Sequence, residues 1–332
     1  MKLRSHVKRL PAVLVALAGL GLLLAPAAAC GGGGDGSTPA PGTTGTPATA
    51  TTGTPDGDGG PPPGKILFVA FRDGNQEIYV MNSDGSDERN VTNDPATDFD
   101  PDWSTDGTRI AFASDRTGDS EIFTMDADGS NLRQLTDGGG MSPRWSRDGK
   151  RIAFARAGDI AVMDADGGNL EIVMEAENQA TAADCRAGAF PGGWSPDDSA
   201  ITYYSASVTR QQGQTCTVTL DGEIAVVITE PEVYNVEPVY SPDGRELVYR
   251  GIHDNVHDIW IVNLETGERT NITDDPDLDI EPDWSPDGEW IVYGSIKEGS
   301  PNVDIYIMRR DGTDAMRLTD DPTKEANPIW AP

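Results

Sequence analysis

The sequence contains few cysteines, few histidines and few aromatic residues, and each shortage excludes a class of protein. Its 332 residues include three cysteines and three histidines, and no two cysteines form a C-x-x-C pair. A zinc ribbon and a thioredoxin-like redox site are therefore excluded. Aromatic residues make up 7% of the chain, whereas glycine (38 residues) and proline (24) are abundant. This composition is too rich in turn-forming residues for a helical bundle, but a hydrophobic content of 37% suffices for a modest core.

Basic residues are also scarce, with 25 lysines and arginines against 55 acidic residues and a formal net charge of -30. Such a field repels phosphate backbones and anionic lipid headgroups, so we expect no nucleic-acid partner. The catalytic signatures of common enzyme classes are missing as well, because the chain has no G-x-S-x-G, H-E-x-x-H, P-loop or dinucleotide-binding fingerprint. The sequence therefore favours a non-enzymatic protein.

The first 29 residues have the pattern of a bacterial export signal. Four basic residues precede an apolar stretch at 11–25, which is too short to span a bilayer comfortably. Small residues at 27–29 then stand directly before Cys30, an arrangement that resembles the bacterial lipobox. We predict a lipoprotein signal peptide over 1–29 and lipidation of Cys30. The alternative is ordinary secretory cleavage that leaves Cys30 free.

Residues 30–64 predict a disordered tether. Of the 34 residues from 31 to 64, 27 are Gly, Thr or Pro, and none is Val, Ile, Leu or aromatic. Nothing in this segment can compensate for the entropy of ordering it. We expect it to hold a folded domain, residues 65–332, close to the extracytoplasmic side of a membrane, with the lipid as the only membrane contact.

The remainder of the chain is periodic, and an aromatic-Ser-x-Asp-Gly motif recurs along it. Its aromatic residues, which we call the anchor aromatics, stand 42 to 49 residues apart. They are Trp103, Trp145, Trp194, Tyr240, Trp284 and Trp330. A period in the forties built from short strands is typical of propeller blades. We predict that the anchor aromatics pack between neighbouring blades, as core residues rather than as a ligand channel.

Each repeat predicts four strands, a to d, with a Ser-Pro-Asp-Gly turn after the first. The first unit enters at strand b, and the chain ends with a strand a that has nothing after it. Three N-terminal strands and one C-terminal strand therefore complete one blade, which removes the open sheet edge. We predict an all-β fold, a six-bladed β-propeller of four-stranded antiparallel blades closed in this way.

The repeat P-x-W-S-P-D-G…I-x-F…D-I-Y-x-M-D-x-D-G…L-T resembles the WD-like repeat of the TolB-type β-propeller. The resemblance covers residues 65–332 and implies a propeller that acts as a partner-binding scaffold, although related propellers also serve as peptidase caps and polysaccharide lyases. The N-terminal α/β domain of TolB has no counterpart here, where the tether stands instead. The resemblance therefore points to a lipoprotein form without that domain.

The connections from strand d to strand a are acidic, and in a propeller they surround one mouth of the central channel. Residues three and one positions before the anchor aromatics should line this mouth, where we predict a binding site. It comprises Asp100, Asp102, Arg144, Glu237, Glu281, Asp283 and Asn327. The expected partner is a protein or peptide, including a cationic segment, or a metal ion. The alternative is that these charges serve only solubility.

Two histidines, His253 and His257, stand in an acidic loop and could bind a transition metal or supply a general base. In the alternative function, the protein is a propeller enzyme, a metal-assisted polysaccharide lyase or hydrolase, and these two histidines form its active site. Otherwise we expect no cofactor. Cys185 and Cys216 are predicted to form a disulfide, the default for paired cysteines outside the cytoplasm. We expect a monomer.

Overall fold

The fold consists of β-strands throughout the part of the chain that the structure, a computed structural model, describes. The described residues are 60–72, 74–177, 185–186, 188–207, 212–228, 234–253 and 256–332. The predicted signal peptide, Cys30 and the tether up to residue 59 lie outside them. Within the described ranges, no helix is long and apolar enough to cross a membrane.

Four sheets have four antiparallel strands each, hydrogen-bonded in the order a-b-c-d. The closing sheet joins β1 (Lys65–Arg72), β2 (Asn75–Asn82) and β3 (Arg89–Asn90) to the last strand, β24 (Glu325–Trp330). The second contains β4 (Asp98–Trp103), β5 (Arg109–Ser114), β6 (Glu121–Asp126) and β7 (Arg133–Gln134). The third contains β8 (Met141–Trp145), β9 (Arg151–Arg156), β10 (Asp159–Asp164) and β11 (Glu171–Met174). The fourth contains β12 (Ala189–Trp194), β13 (Ala200–Ser207), β14 (Gln212–Thr219) and β15 (Ile224–Ile228).

The remaining strands form one eight-stranded sheet rather than two separate blades. One half contains β16 (Tyr234–Tyr240), β17 (Glu246–His253), β18 (Val256–Asn263) and β19 (Arg269–Asn271). The other contains β20 (Leu278–Trp284), β21 (Trp290–Ile296), β22 (Asp304–Arg309) and β23 (Met316–Arg317). The halves are joined by a single parallel pair, His257 with Leu278. The sequence predicts six separate four-stranded blades. The structure has four such sheets and one eight-stranded sheet, because this residue pair joins the β16–β19 and β20–β23 units.

The first strand of each unit, which we call the inner strand, contacts the first strand of the next. The contacts run from β4 through β8, β12, β16, β20 and β24 back to β4, a closed series. The core lies between neighbouring units, so that one apolar cluster contains Phe68 and Trp330 of the closing sheet together with Trp290 and Ile307 of the β20–β23 half. The predicted interblade packing of the anchor aromatics is observed: five are 2–6% exposed, and Tyr240 is half-buried against such a cluster.

The turn after each inner strand has the chemistry that its sequence predicts. In the first copy, the Ser104 hydroxyl donates to Asp106 at 2.7 Å and accepts the N–H of Arg109, while Gly107 has a φ of 66°. The Ser104 hydroxyl, together with the hydroxyl and N–H of Thr108, lowers the pKa of Asp106 to about 2. One copy has Asp198 in place of the glycine, at a φ of 56°.

The segment just before β1 already contacts the fold. The hydroxyl of Ser83 donates to the Pro62 carbonyl at 2.8 Å, and the Ser83 N–H donates to the Gly64 carbonyl at 3.0 Å. Ala331 in turn donates its N–H to the carbonyl of Lys65. Residues 62–64 therefore lie beside the end of β24, on the side where the inner strands end.

Candidate functional site

Each inner strand contains a bulge where its register with the neighbouring strand shifts. In five strands the bulge includes the residue three positions before the anchor aromatic, whereas in β12 it lies at Gly192, directly after that position. We call the residues three positions before the anchor aromatics the loop-side ring, because they lie nearer the incoming connections. The ring comprises Asp100, Ser142, Pro191, Glu237, Glu281 and Asn327. All except the proline have a positive φ, between 48° and 56°. For non-glycine residues this conformation is costly and persists only where surrounding contacts enforce it.

Those contacts are hydrogen bonds from one unit to the next. A carboxylate oxygen of Glu237 accepts the Glu281 N–H at 2.9 Å, and a carboxylate oxygen of Glu281 accepts the Asn327 N–H at 2.6 Å. Asp100 accepts both the N–H and the hydroxyl of Ser142, at 3.2 and 2.8 Å. Because the bulge turns each N–H out of its own ladder, a side chain of the preceding unit can reach it. The ring carboxylates therefore stabilise the fold as well as facing the channel.

Two residues that the sequence analysis missed also face this ring. Arg250 donates to Glu237 at 2.7 Å, and the phenol of Tyr204 lies within the electrostatic field of Asp100, Glu237 and Glu281. A signal for them existed in the repeats. Ten residues after the anchor aromatic, other copies carry the small residues Ala113, Ala155 and Gly294. A large polar side chain at that position marks a place where the channel is filled.

The loop-side ring is electrostatically unfavourable for its own carboxylates. Burial, and after it the negative charge of Glu237, raise the pKa of Glu281 far above its ordinary value, and Asp100 acts in the same direction. Arg250 opposes these effects without cancelling them. Asp100 and Glu237 share one guanidinium with Glu281, and the raised pKa favours a proton on Glu281. A cation entering here would displace that proton and would be stabilised by the three carboxylates together.

The residues directly before the anchor aromatics form a second level, the turn-side ring. It comprises Asp102, Arg144, Gly193, Val239, Asp283 and Ile329. All six line a cavity of about 220 Å³ together with the six anchor aromatics and parts of the following turns. None of the loop-side ring lines this cavity. We call it the turn-side cavity, since it lies at the ends of the inner strands where the turns begin.

The two carboxylates of the turn-side ring also bridge neighbouring units. Asp102 accepts the N–H of Trp145 at 2.6 Å, and Asp283 accepts the N–H of Trp330 at 2.8 Å. Burial raises the pKa of Asp102 to about 7 and that of Asp283 to about 6, and the guanidinium of Arg144 opposes the rise in both. Arg144 itself donates to the carbonyls of Gly192 and Pro143.

The seven residues predicted to line one mouth are thus divided between two levels. Asp102, Arg144 and Asp283 line the turn-side cavity. The other four, Asp100, Glu237, Glu281 and Asn327, belong to the loop-side ring. The pattern in the sequence places each residue on the inner strand correctly, but it does not reveal the bulge, which separates the two levels along the channel.

The acidic connections are also less exposed than the sequence suggests. Asp98, Asp279 and Glu325 are fully buried at the start of their inner strands. Arg116 binds Asp98 through two hydrogen bonds, and Arg72 binds Glu325. These carboxylates are structural, and they reduce the acidic surface available to a partner around the mouth.

The histidine pair stands at the tip of the β17–β18 hairpin, where His257 pairs with Ile252 and His253 with Val256. Burial and the positive charge of Arg250 lower the pKa of His257 to about 4, which favours the neutral imidazole. The described residues contain no group of three or more His, Cys, Asp or Glu side chains placed to hold a metal ion.

The two cysteines predicted to pair lie at the β12–β15 sheet. Their Sγ atoms are 1.95 Å apart and their Cα atoms 6.1 Å apart, with 31 residues of sequence separation. Both side chains are fully buried. Tyr203 donates its hydroxyl to the Cys185 carbonyl at 2.8 Å. The cross-link therefore belongs to the packed interior of this sheet.

The described sheets, their closed series of inner strands and the central cavity define a β-propeller. The family model of the TolB beta propeller domain matches residues 41–183 and 156–332, so the chain belongs to that family. The Tol-Pal system protein TolB of Geobacter sulfurreducens is 39% identical over 54 residues, which are 16% of this chain and 12% of that protein. The match thus spans about an eighth of the length of that relative.

Two solved structures share the fold. The chain superimposes on TolB from Acinetobacter baumannii with a TM-score of 0.66 and 21% identity, covering 81% of this chain and 67% of that one. Hydrazine synthase from Kuenenia stuttgartiensis gives a TM-score of 0.65 and 19% identity, covering 82% of this chain and 47% of that one. At these identities the likeness establishes the fold alone, which both a Tol-Pal protein and an enzyme possess.

Proposed function

We propose that the chain is an exported lipoprotein of the bacterial cell envelope, with a signal peptide at 1–29, a lipidated Cys30, a tether at 30–64 and a six-bladed propeller at 65–332. The six-blade count is supported by the six inner strands in the closed series of contacts. On this view the eight-stranded sheet is two blades joined at one residue pair. The cysteine directly before a Gly/Thr/Pro-rich segment supports anchoring, because such a tether is suited to a lipid anchor.

The propeller binds a cationic segment of a protein or peptide at the loop-side ring, and the binding is non-enzymatic. One observation carries this proposal: Asp100, Glu237 and Glu281 come from three different units, and Arg250 is the one cationic side chain among the groups shown to act on Glu281, whose other favourable partner is the N–H of Asn327. A lysine or arginine side chain would supply the missing positive charge. Because the carboxylates are already held by interblade hydrogen bonds, they need little reorganisation to bind it.

The test removes charge at the ring without removing hydrogen-bond acceptors. In an Asp100→Asn/Glu281→Gln variant, the amide oxygens can still accept the N–H groups of Ser142 and Asn327. We expect a labelled tetralysine peptide to bind the full chain at least tenfold more weakly after this change, measured by fluorescence anisotropy at low salt. The matched control is Asp119→Asn, which removes one exposed charge from a nearby loop.

The same peptide should compete with proteins captured by the anchored chain from its own envelope. If tetralysine binds the double variant and the wild type equally, with thermal melts showing both folded, the loop-side ring is not the binding site. Equal loss of binding in the Asp119→Asn control would indicate general charge attraction instead. In the proposed case, only the double variant loses affinity.

A further inference from the structure

The turn-side cavity is chemically different from the loop-side ring, because its wall carries charges of both signs. Two carboxylates, Asp102 and Asp283, and two guanidinium groups, Arg144 and Arg147, line it. Its formal charge is therefore balanced, whereas the loop-side ring is acidic. The six anchor aromatics supply much of the remaining wall, together with small and apolar residues such as Gly193, Val239 and Ile329.

These four charged side chains act on one another without forming ion pairs. The guanidinium groups of Arg144 and Arg147 both lower the pKa of Asp102 and Asp283 against the effect of burial. In the part of the chain that the structure describes, Arg144 donates only to backbone carbonyls, and the Arg147 side chain has no hydrogen-bond partner. The wall thus presents charged groups that a ligand could engage.

The charges are also arranged across the cavity. Arg144 lies on β8 and Asp283 on β20. In the closed series of six inner strands, two other strands separate β8 from β20 whichever way round the series is followed. They therefore lie on opposite sides of the channel. A molecule with a negative group at one end and a positive group at the other could meet both.

We propose that the turn-side cavity binds a compact zwitterion that carries an ammonium and a carboxylate, of the size of an amino acid or dipeptide. Arg144 and Arg147 hold the carboxylate, since a guanidinium matches its geometry. Asp283, on the opposite side of the channel from Arg144, holds the ammonium. The volume of about 220 Å³ sets the size limit. This site is the neighbouring level of the channel, two residues along each inner strand from the loop-side ring, and does not depend on a partner there.

Tryptophan fluorescence provides a direct measurement, because five of the seven tryptophans line the cavity. The probe is glycylglycine, titrated into the full chain. Two matched probes each lack one charge: N-acetylglycylglycine has no ammonium and glycylglycine amide has no carboxylate. We expect saturable quenching by glycylglycine and at least tenfold weaker binding of either blocked form.

Three variants locate the site. Asp283→Asn retains an oxygen that can accept the Trp330 N–H and loses the charge, and Arg144→Gln loses the guanidinium. Each should weaken glycylglycine binding at least tenfold, whereas Asp119→Asn should leave it unchanged. Binding that is equal for all three probes, or unaffected by both cavity variants, would overturn the proposal. So would the absence of any saturable change with the wild-type chain. None of these outcomes bears on tetralysine binding at the loop-side ring.

Discussion

Three carboxylates at equivalent positions, five residues before an anchor aromatic, are buried in different surroundings. Asp98 accepts two hydrogen bonds from Arg116, at 2.8 and 2.9 Å. Glu325 accepts one from Arg72 at 2.8 Å, and its second oxygen has no partner in the described residues. Within the same ranges, neither oxygen of Asp279 has a hydrogen-bond partner of ordinary geometry. The three sites thus accept two, one and no hydrogen bonds from an arginine.

The difference arises from one side chain. Lys297 follows Trp284 by 13 residues, as Arg116 follows Trp103. Its ammonium lies 2.8 Å from Asp277 rather than at Asp279. The guanidinium of Arg116 binds the buried carboxylate while it lies over Phe112 and Phe123. The ammonium of Lys297 lies over Tyr306, 4.9 Å from the ring centre, but as a single point charge it pairs with Asp277 instead of Asp279. A buried carboxylate at this position therefore stabilises the fold only where an arginine reaches it.

The largest effect is expected when the arginine is removed from the Asp98 site, where the carboxylate accepts two arginine hydrogen bonds. Arg116→Met keeps much of the side-chain volume but leaves Asp98 buried without a counter-charge. We expect the free energy of unfolding, measured with urea, to fall by about 3–5 kcal/mol. Lys150→Met, which breaks an ion pair whose lysine is 78% exposed, is the control and should cost less than about 1 kcal/mol. Similar losses in both variants would contradict the comparison.

A second test uses pH at the unsatisfied site. Burial raises the pKa of Asp279 to about 6, above the value of about 3.9 in an unfolded chain. Between these values the folded state binds more protons, so the stabilisation from this group is complete below about pH 4 and is lost as the pH rises to 6. The loss should amount to about 1–3 kcal/mol. Asp279→Asn should remove it.

The measurement for this second test is the difference in urea unfolding free energy between wild type and Asp279→Asn at several pH values. Taking the difference isolates Asp279 from the other buried carboxyls. The variant should gain stability relative to wild type as the pH increases from 4 to 7. A constant difference over this range would show that Asp279 titrates normally.

The smallest effect is expected when the Asp279 site is given an arginine like that of the Asp98 site. Lys297→Arg places a guanidinium where Arg116 stands in its own unit, and it should bind Asp279. We expect a gain of about 0.5–1 kcal/mol at pH 7 in urea unfolding. We also expect a smaller pH-dependent difference from Asp279→Asn in this background. If the new arginine pairs with Asp277 as the lysine does, neither the gain in stability nor the smaller pH dependence will appear. The backbone position, rather than the type of side chain, would then determine which carboxylate is bound.

Much of the fold follows from local patterns in the sequence. The aromatic-Ser-x-Asp-Gly motif identifies the turn after each inner strand because its serine, aspartate and glycine satisfy that turn locally. Asp198 replaces the glycine, and the reason is not local: its carboxylate accepts the N–H groups of Arg147 and Asp148 in the neighbouring unit, at 2.6 and 2.9 Å. Contacts between units cannot be read from one repeat.

The candidate site was less predictable for the same reason. The acidic residues of the inner strands are visible in the sequence, but Arg250 comes from a different strand and neutralises Glu237 only in three dimensions. Asp98 and Asp100 are two residues apart in the same acidic connection, yet the first is fully buried against Arg116 and the second faces the channel. The bulge between strand pairings separates them, and bulges leave no mark in the hydrophobic pattern.

The closing sheet also determines how the propeller would bear a mechanical load. The tether continues directly into β1, which pairs with β2 along one edge and with β24 along the other. β1 is therefore a central strand of its sheet. Pulling it out would require breaking the hydrogen bonds of both ladders, whereas an edge strand is held by one ladder. A propeller whose first strand is held on both sides can carry tension applied to that end without opening the ring at this sheet.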